Sequence, residues 1–494
     1  MPLLTEKDHL LPKDEKTPEI IGSRPSSSKN LYDYEADIGD NEGEDEDDFD
    51  PKRHLVNDIM AMVFGLALLL SVVFIFLPDS FWGDKPGPLT IEQRVHRILS
   101  DTPLIDGHND LAIMIRFGFD NHIYDDKFKK PFEEGGMPYH VDLPRLRQGM
   151  NGGAFWSAFV PCPKDGFDFS DANYADSVAF TLTQIDVLTR LTAAYPKDFS
   201  PPTVNSSTAL SAFKSGQLIS PIIIEGLHQI GNSLSNLRHY HSLGVRYATL
   251  THNCHNKYAD AAITTNSEGK SEKSKPYWKG VSEDGKEVIK EMNRLGVIVD
   301  LSHVSTDTMH DVLAGKEDWE GSAAPIMFSH SSAYTICPHP RNVPDDILHL
   351  VKNRNSIVMI NFAPDFISCI PHSSAGNGIP DFFLANNTLE HVVTHIKHIG
   401  DLIGYEHVGL GSDFDGIPST PEGLDDVSKY PDLVAEMLKR GISDSDAAKV
   451  VGGNILRVWR DVDAVALKMQ KDGVKPAEDN LPSFRVEAMM DREL

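Results

Sequence analysis

Cysteine is scarce in this chain, four in 494 residues, and the four are too scattered to form a clustered thiolate site. A thiolate-rich metal centre is thereby excluded. Four cysteines allow three disulfide pairings, with buried free thiols as the alternative. No glycine-rich phosphate loop appears, which argues against an open nucleotide-binding sheet. No internal sequence repeat is present. Positive charge is in deficit, 46 Lys and Arg against 73 Asp and Glu, for a net charge of −27. That balance excludes nucleic acid and a bare anionic membrane as partners. Residues 1–57 are poor in aromatic and β-branched side chains and carry 16 acidic and 7 basic residues, including the run Glu42 to Asp48. Such a segment cannot bury enough apolar area to offset its ordering entropy, so 1–57 reads as a disordered acidic tail.

What is present begins with Ile59 to Leu77, IMAMVFGLALLLSVVFIFL, without a charge. At 1.5 Å per residue it reaches roughly 28 Å, about one hydrocarbon core. It predicts a transmembrane signal-anchor helix over 58–78, in contact with the lipid bilayer through 59–77. It is too long and too far from the start for a cleaved signal peptide. Lys52 and Arg53 precede it, and Lys85 is the only basic residue soon after, which places the tail in the cytosol. The sequons at Asn205 and Asn386 fit a lumenal or extracellular C-terminal part. The expectation is a single-pass type II membrane protein of the cell surface or of the vacuolar or lysosomal membrane. Glu6 with Leu10 and Leu11 resembles the acidic dileucine signals that direct membrane proteins to vacuoles or lysosomes, with a plain tail on a cell-surface protein as the alternative.

Residues 89–494 read as one domain. Eight short apolar runs recur along it, starting at Pro103, Ala154, Pro221, Val245, Val297, Pro325, Ile357 and Val408. Near-continuous apolar strands belong to a parallel sheet covered on both faces. Helical stretches such as Asp171 to Ala194, Asp284 to Leu295 and Leu389 to Ile403 lie between them. Eight β–α steps predict an α/β fold, a closed (β/α)8 TIM-type barrel.

In such a barrel the chemistry sits at the C-terminal ends of the strands. Here those ends carry His108 and Asp110, Glu225, His252, His303, His330 and Asp413. Any one of them has an ordinary structural reading, as a core histidine or a helix cap. Six strands ending in imidazole or carboxylate at the same end point instead to a metal, because burying so many titratable groups without one is costly. Imidazole and carboxylate donors favour zinc. His108 with Asp110, and His303 with His330, make two ligand pairs that Glu225 can bridge, which describes two Zn²⁺ per chain.

The motifs DGHND, IIIEG followed by His228, LTHNC, GVIVDLSHVS, PIMFSHSSA, HPRNVPDD and HVGLGSDFDG run in this order across residues 95–460. In them the chain resembles the membrane (renal-type) dipeptidase family of binuclear zinc peptidases. The resemblance implies hydrolysis of dipeptides by hydroxide held between the zincs. It implies His108 and Asp110 on one zinc, His303 and His330 on the other, and Glu225 on both. It gives His252 the oxyanion, Asp413 the proton shuttle, and Arg341 the substrate's terminal carboxylate. It also implies disulfides Cys162–Cys254 and Cys337–Cys369, so any homodimer is expected to be non-covalent.

Some points stay open at the level of sequence. Arg341 has Asp345 and Asp346 as alternative partners, and Asp413 has Asp415 as a competitor. Leu227 departs from the Gly-Gly that family members often carry after the glutamate and is expected to narrow the mouth of the site. The charged end FRVEAMMDREL is unlike the hydrophobic tail of the C-terminal lipid anchor common in animal members. Other amidohydrolases typically open with H-x-H where this chain has H-x-D, and a catalytically silent barrel would have lost ligands that are all present here.

Overall fold

The computed structural model describes residues 51–76, 88–265, 270–371 and 376–480. The proposed tail up to residue 50, with its dileucine pattern, and the end 481–494 lie outside the described residues. The chain divides into two compact units, 1–85 and 86–494.

In the first unit one helix spans Pro51–Phe76. It begins earlier than the boundary near 58 that the apolar run suggests. Proline is well suited to a first helical position, since its fixed φ matches the helix and its missing N–H has no partner there anyway. The segment His54–Val73 is long and apolar enough to cross a membrane, and Met62, Phe64, Leu66 and Leu68 are exposed along it.

The second unit is a closed barrel of eight parallel strands: β1 (Leu104–Asn109), β2 (Asn151–Ser157), β3 (Ile222–Glu225), β4 (Val245–Thr249), β5 (Ile298–Asp300), β6 (Met327–Phe328), β7 (Ile357–Ile360) and β8 (Val408–Leu410). Each strand pairs with its neighbours in sequence and β8 closes on β1, with Asp106 opposite Leu410. All eight apolar runs are strands of this barrel. The three helices foreseen form over Asp171–Ala194, Glu283–Leu295 and Leu389–Ile403.

Alternation along the strands separates two cores. Ile105, Phe155, Ile223, Tyr247, Ile298, Met327, Ile357 and Met359 form one cluster, while Leu104, Ala154, Trp156, Ile222, Ile224 and Val299 join the larger cluster shared with the outer helices. Helix Asn454–Lys471 adds Ile455, Val458, Trp459 and Val462 to the first cluster, with Trp459 5.4 Å from Phe155 between ring centroids. Its Gln470 donates to Arg294 O, and Asp463 accepts from Ser206 Oγ. Both partners lie in helices that precede strands, β5 and β3, so the helix covers the N-terminal end of the barrel and leaves the C-terminal end for the site.

Two short antiparallel ribbons lie outside the barrel, Ile263–Thr265 with Ser271–Lys273 and Cys369–Ile370 with Asp381–Phe382. Both disulfides implied by the resemblance are formed. Cys162–Cys254 joins the loops after β2 and β4, and Cys337–Cys369 joins those after β6 and β7.

Candidate functional site

The side chains singled out from the strand ends converge on Glu225, the last residue of β3. Its Oε1 lies 2.8 Å from His303 Nε2 and 3.4 Å from His330 Nε2, and its Oε2 lies 3.7 Å from His108 Nε2. His108 Nε2 is also 3.1 Å from Asp110 Oδ2. Three overlapping triads have donor atoms close enough to share a cation: His108, Glu225 and His330; Glu225, His252 and His303; His108, Asp110 and Asp413.

The second nitrogen of each central imidazole fixes which lone pair faces Glu225. Tyr247 Oη donates to Gly107 O at 3.0 Å, so at 2.8 Å from His108 Nδ1 it accepts the Nδ1 proton. Ser329 Oγ donates to Asp300 Oδ2 at 2.7 Å and therefore accepts from His330 Nδ1 at 2.8 Å. Asn253 Oδ1 accepts from His303 Nδ1 at 2.8 Å. All three Nε2 atoms then face inward, and the lone pairs of His303 and His330 meet at 3.0 Å. Two lone pairs at that separation repel unless a cation or a proton lies between them. Anchoring the outer nitrogen to a fixed acceptor is how proteins orient metal-binding histidines.

Two buried aspartates beneath the site were not anticipated. Asp106 accepts from Ser412 N at 2.8 Å and Ser412 Oγ at 2.6 Å, tying β1 to the segment after β8. Asp300 accepts from Thr249 Oγ1, Ser302 N and Ser329 N, tying β4, β5 and β6. The motifs DGHND and VDLSH contain both, but an aspartate two or three residues before a ligand reads equally well as a turn former.

The electrostatics match a site built for positive charge. Burial works to lower the His108 pKa, yet Glu225 and Asp110 raise it to about 10. Burial lifts Glu225 to about 8 against the pull of His108 and Arg341. His303 is held well below the ordinary imidazole value by burial and then Arg341, and His330 by burial and then His108. Asp110 Oδ1 is buried without a hydrogen-bond partner.

A cavity of about 620 Å³ opens above the cluster and is lined by Asp110, Glu225, His252, His303, Arg341 and Asp413, among others. Asp413 sits at φ 66°, in the left-handed region, and Asn361 Nδ2 donates to its Oδ2 at 3.3 Å. Burial and Asp110 raise its pKa to about 6, opposed by His108 and Arg341. The glycine three residues on leaves room for this, because a Cβ on Gly416 would lie 2.5 Å from Asp413 Oδ1 and closer still to Asp110 Oδ2. Asp415, the competitor for the role of Asp413, lines the cavity as well, but it is engaged by His140. His140 N donates to its Oδ1 at 2.8 Å, and its own N–H donates to His140 Nδ1 at 2.9 Å. His252 is kept neutral by burial and then by His228.

Arg341 is 2% exposed and has no ion-pair partner among the described residues; its Nε has no hydrogen-bond partner, and its guanidinium lies 4.9 Å from the Phe366 ring. Asp345, a partner open to Arg341 at the level of sequence, takes His398 instead. Leu227 does not narrow the mouth. It is fully buried in the core between barrel and helices, with its N–H on Leu250 O. Gly226 before it has φ 105°, which turns the side chain of residue 227 away from the cavity.

The family model described as membrane dipeptidase, peptidase family M19, matches residues 92–473. The dipeptidase aclJ of Aspergillus oryzae is 44% identical over 436 residues, covering 87% of this chain and 95% of that protein. An uncharacterized dipeptidase of Schizosaccharomyces pombe is 43% identical over 415 residues, 83% of this chain and 91% of its own. Among solved structures, a metallopeptidase from Rhodobacter sphaeroides, liganded with a phosphinate mimic of the dipeptide L-Ala-D-Ala, superposes with a TM-score of 0.58 at 25% identity over 73% of this chain and 99% of that one. A match of this extent, over the whole barrel that gathers the imidazoles and carboxylates around Glu225, shows that the chain belongs to the membrane dipeptidase family, peptidase family M19.

Proposed function

We propose that this chain is a zinc-dependent dipeptidase. The observation that carries the reading is Arg341, a buried guanidinium without a carboxylate of its own, facing the same cavity as the cluster around Glu225. A planar fork in that state matches a carboxylate two-pronged. A dipeptide brings its scissile bond and its terminal carboxylate within one such cavity, whereas a longer C-terminal extension carries the carboxylate out of reach.

The donor set fits two zinc ions, one held by His108 and Asp110, the other by His303 and His330, with Glu225 on both. The inward Nε2 lone pairs and the unpartnered Asp110 Oδ1 support that assignment. When bound, the metal pair would supply Lewis acidity and lower the pKa of bound water toward neutrality. The chain's own groups do the rest. Arg341 anchors the substrate and fixes the position of its carbonyl. His252, neutral through burial, donates an N–H to the oxygen on which negative charge develops. Asp413, lifted toward neutrality, takes the proton of the attacking water and releases it to the leaving amine.

The disulfides and the exposed sequon residues Asn205 and Asn386 support an oxidising, glycosylating compartment for the barrel. The apolar N-terminal helix supports a type II signal anchor, on the cell surface or on the vacuolar or lysosomal membrane. With all four cysteines paired within the chain, a homodimer would be non-covalent.

The test is elemental analysis together with a dipeptide panel. About two zincs per chain are expected by the two-metal argument. Release of free amino acids should be lost on chelation and restored by zinc, and amidated dipeptides should be poor substrates. Arg341→Lys keeps the charge and loses the fork, so it should raise KM and weaken that discrimination. Equal discrimination in the variant would remove Arg341 from the carboxylate, and zinc-free full activity would refute the metal assignment.

A further inference from the structure

Resting on the dipeptidase reading, we infer that Ile113, Met114, Phe117 and Phe159 form the subsite for the side chain of the dipeptide's N-terminal residue and select large apolar side chains there. The strand order carries the argument. Around the ring, β6, whose loop bears Arg341, lies diametrically opposite β2. Phe159 follows β2, and helix Leu111–Phe119 follows β1 beside it. With the substrate carboxylate on Arg341 and the scissile carbonyl over Glu225, the residue on the amino side of that bond extends toward the β1–β2 wall.

That wall is apolar, and its rim is exposed. Phe117 is 67% exposed, the helix presents it with Ile113 one turn earlier and Met114 beside that, and all three line the cavity together with Phe159. A phenylalanine left this open at a cavity rim loses little by ordering against a ligand and gains when the ligand covers it. Arg341 is the one Lys or Arg among the described lining residues, and the substrate's terminal carboxylate takes it. Nothing on this wall is left to pair with an acidic side chain, so the class is apolar rather than acidic.

The experiment compares kcat/KM for Phe-Ala, Leu-Ala and Gly-Ala, and for the reversed series Ala-Phe, Ala-Leu and Ala-Gly, in the zinc-loaded full chain. Burying a large apolar side chain should favour Phe-Ala and Leu-Ala over Gly-Ala by about tenfold or more. Met114→Ala and Phe117→Ala should shrink that ratio and leave the Ala-Phe to Ala-Gly ratio in place. Phe117 is exposed enough that its truncation leaves the fold intact, and a melting curve of each variant checks this. Equal turnover of Phe-Ala and Gly-Ala overturns the subsite. So does a shift confined to the reversed series, which would assign the wall to the C-terminal residue while leaving the dipeptidase reading standing. Failure of the zinc-loaded parent to cleave any dipeptide refutes the dipeptidase reading itself, and the subsite with it.

Discussion

Gly416→Ala offers a sharp test of how the two aspartates at the barrel mouth are placed. Gly416 does not have a positive φ, so its backbone accepts alanine without strain. The only obstacle is the added methyl group, which would sit 2.5 Å from Asp413 Oδ1 and nearer still to Asp110 Oδ2. An ordinary carbon–oxygen contact needs about 3.3 Å or more, so both carboxylates must retreat by roughly 1 Å. Neither has a free direction. Asp110 is nearly fully buried beside His108, and Asp413 is held by Asn361 and by its own N–H on His108 O. A misplacement of about 1 Å at reacting groups costs on the order of a hundredfold in rate. The expected result is a loss of that size in kcat/KM, measured by amino acid release from a good dipeptide. The forced retreat should also cost about 1–3 kcal/mol of stability, read from the melting curve, a loss that leaves the fold intact. Gly118→Ala is the matched control. A Cβ there meets nothing within 4 Å, and alanine in helix Leu111–Phe119 should stabilise by roughly 0.5–1 kcal/mol without loss of activity. If Gly416→Ala keeps parental kcat/KM, then Asp110 and Asp413 tolerate displacement and are not the groups whose placement matters.

Three further outcomes follow from the same geometry. Glu225→Gln should lower zinc content and remove nearly all turnover while circular dichroism stays native, since an amide cannot neutralise two cations; two retained zincs with normal rates would remove Glu225 from the bridge. His395 is neutral in the fold: its Nδ1 accepts from Ala333 N at 3.0 Å, its Nε2 donates to Ile367 O at 2.8 Å, and burial lowers its pKa to about 3. The unfolded chain, with an ordinary value near 6.5, binds that proton first, so the contribution of His395 is complete above about pH 6.5 and is lost progressively as pH falls toward 3. The melting temperature should therefore drop less steeply between pH 6.5 and 4 in His395→Gln than in the parent, and parallel slopes would show that His395 is not the titrating group. Finally, replacing Leu10 and Leu11 by alanine should move a tagged protein from the vacuolar or lysosomal membrane to the cell surface, and an unchanged distribution would eliminate the sorting signal.

The sequence by itself determined the architecture. Each barrel strand is buried on both faces, so it reads as a near-continuous apolar run, and eight such runs separated by helical segments leave little choice but a closed parallel sheet. The run from Ile59 determined the apolar helix, since a helix of that length without a charge is specified by local composition. The polar residues at the strand ends were legible because the barrel gathers one end of every strand. Only the tertiary structure decided the arrangement around them. Asp106 meets Ser412 across 306 residues, and Asp300 binds three strands at once; no local pattern encodes either pairing. The side-chain directions of Leu227 and Asp415 also escaped the sequence. The positive φ of Gly226 sends Leu227 into the core, and His140, from a loop 275 residues away, engages the carboxylate of Asp415 beside Asp413 at the cavity. Periodicity fixes which face a residue occupies along a regular strand. Beyond the strand end the chain turns irregularly, and there the direction of each side chain is set by partners that only folding brings near.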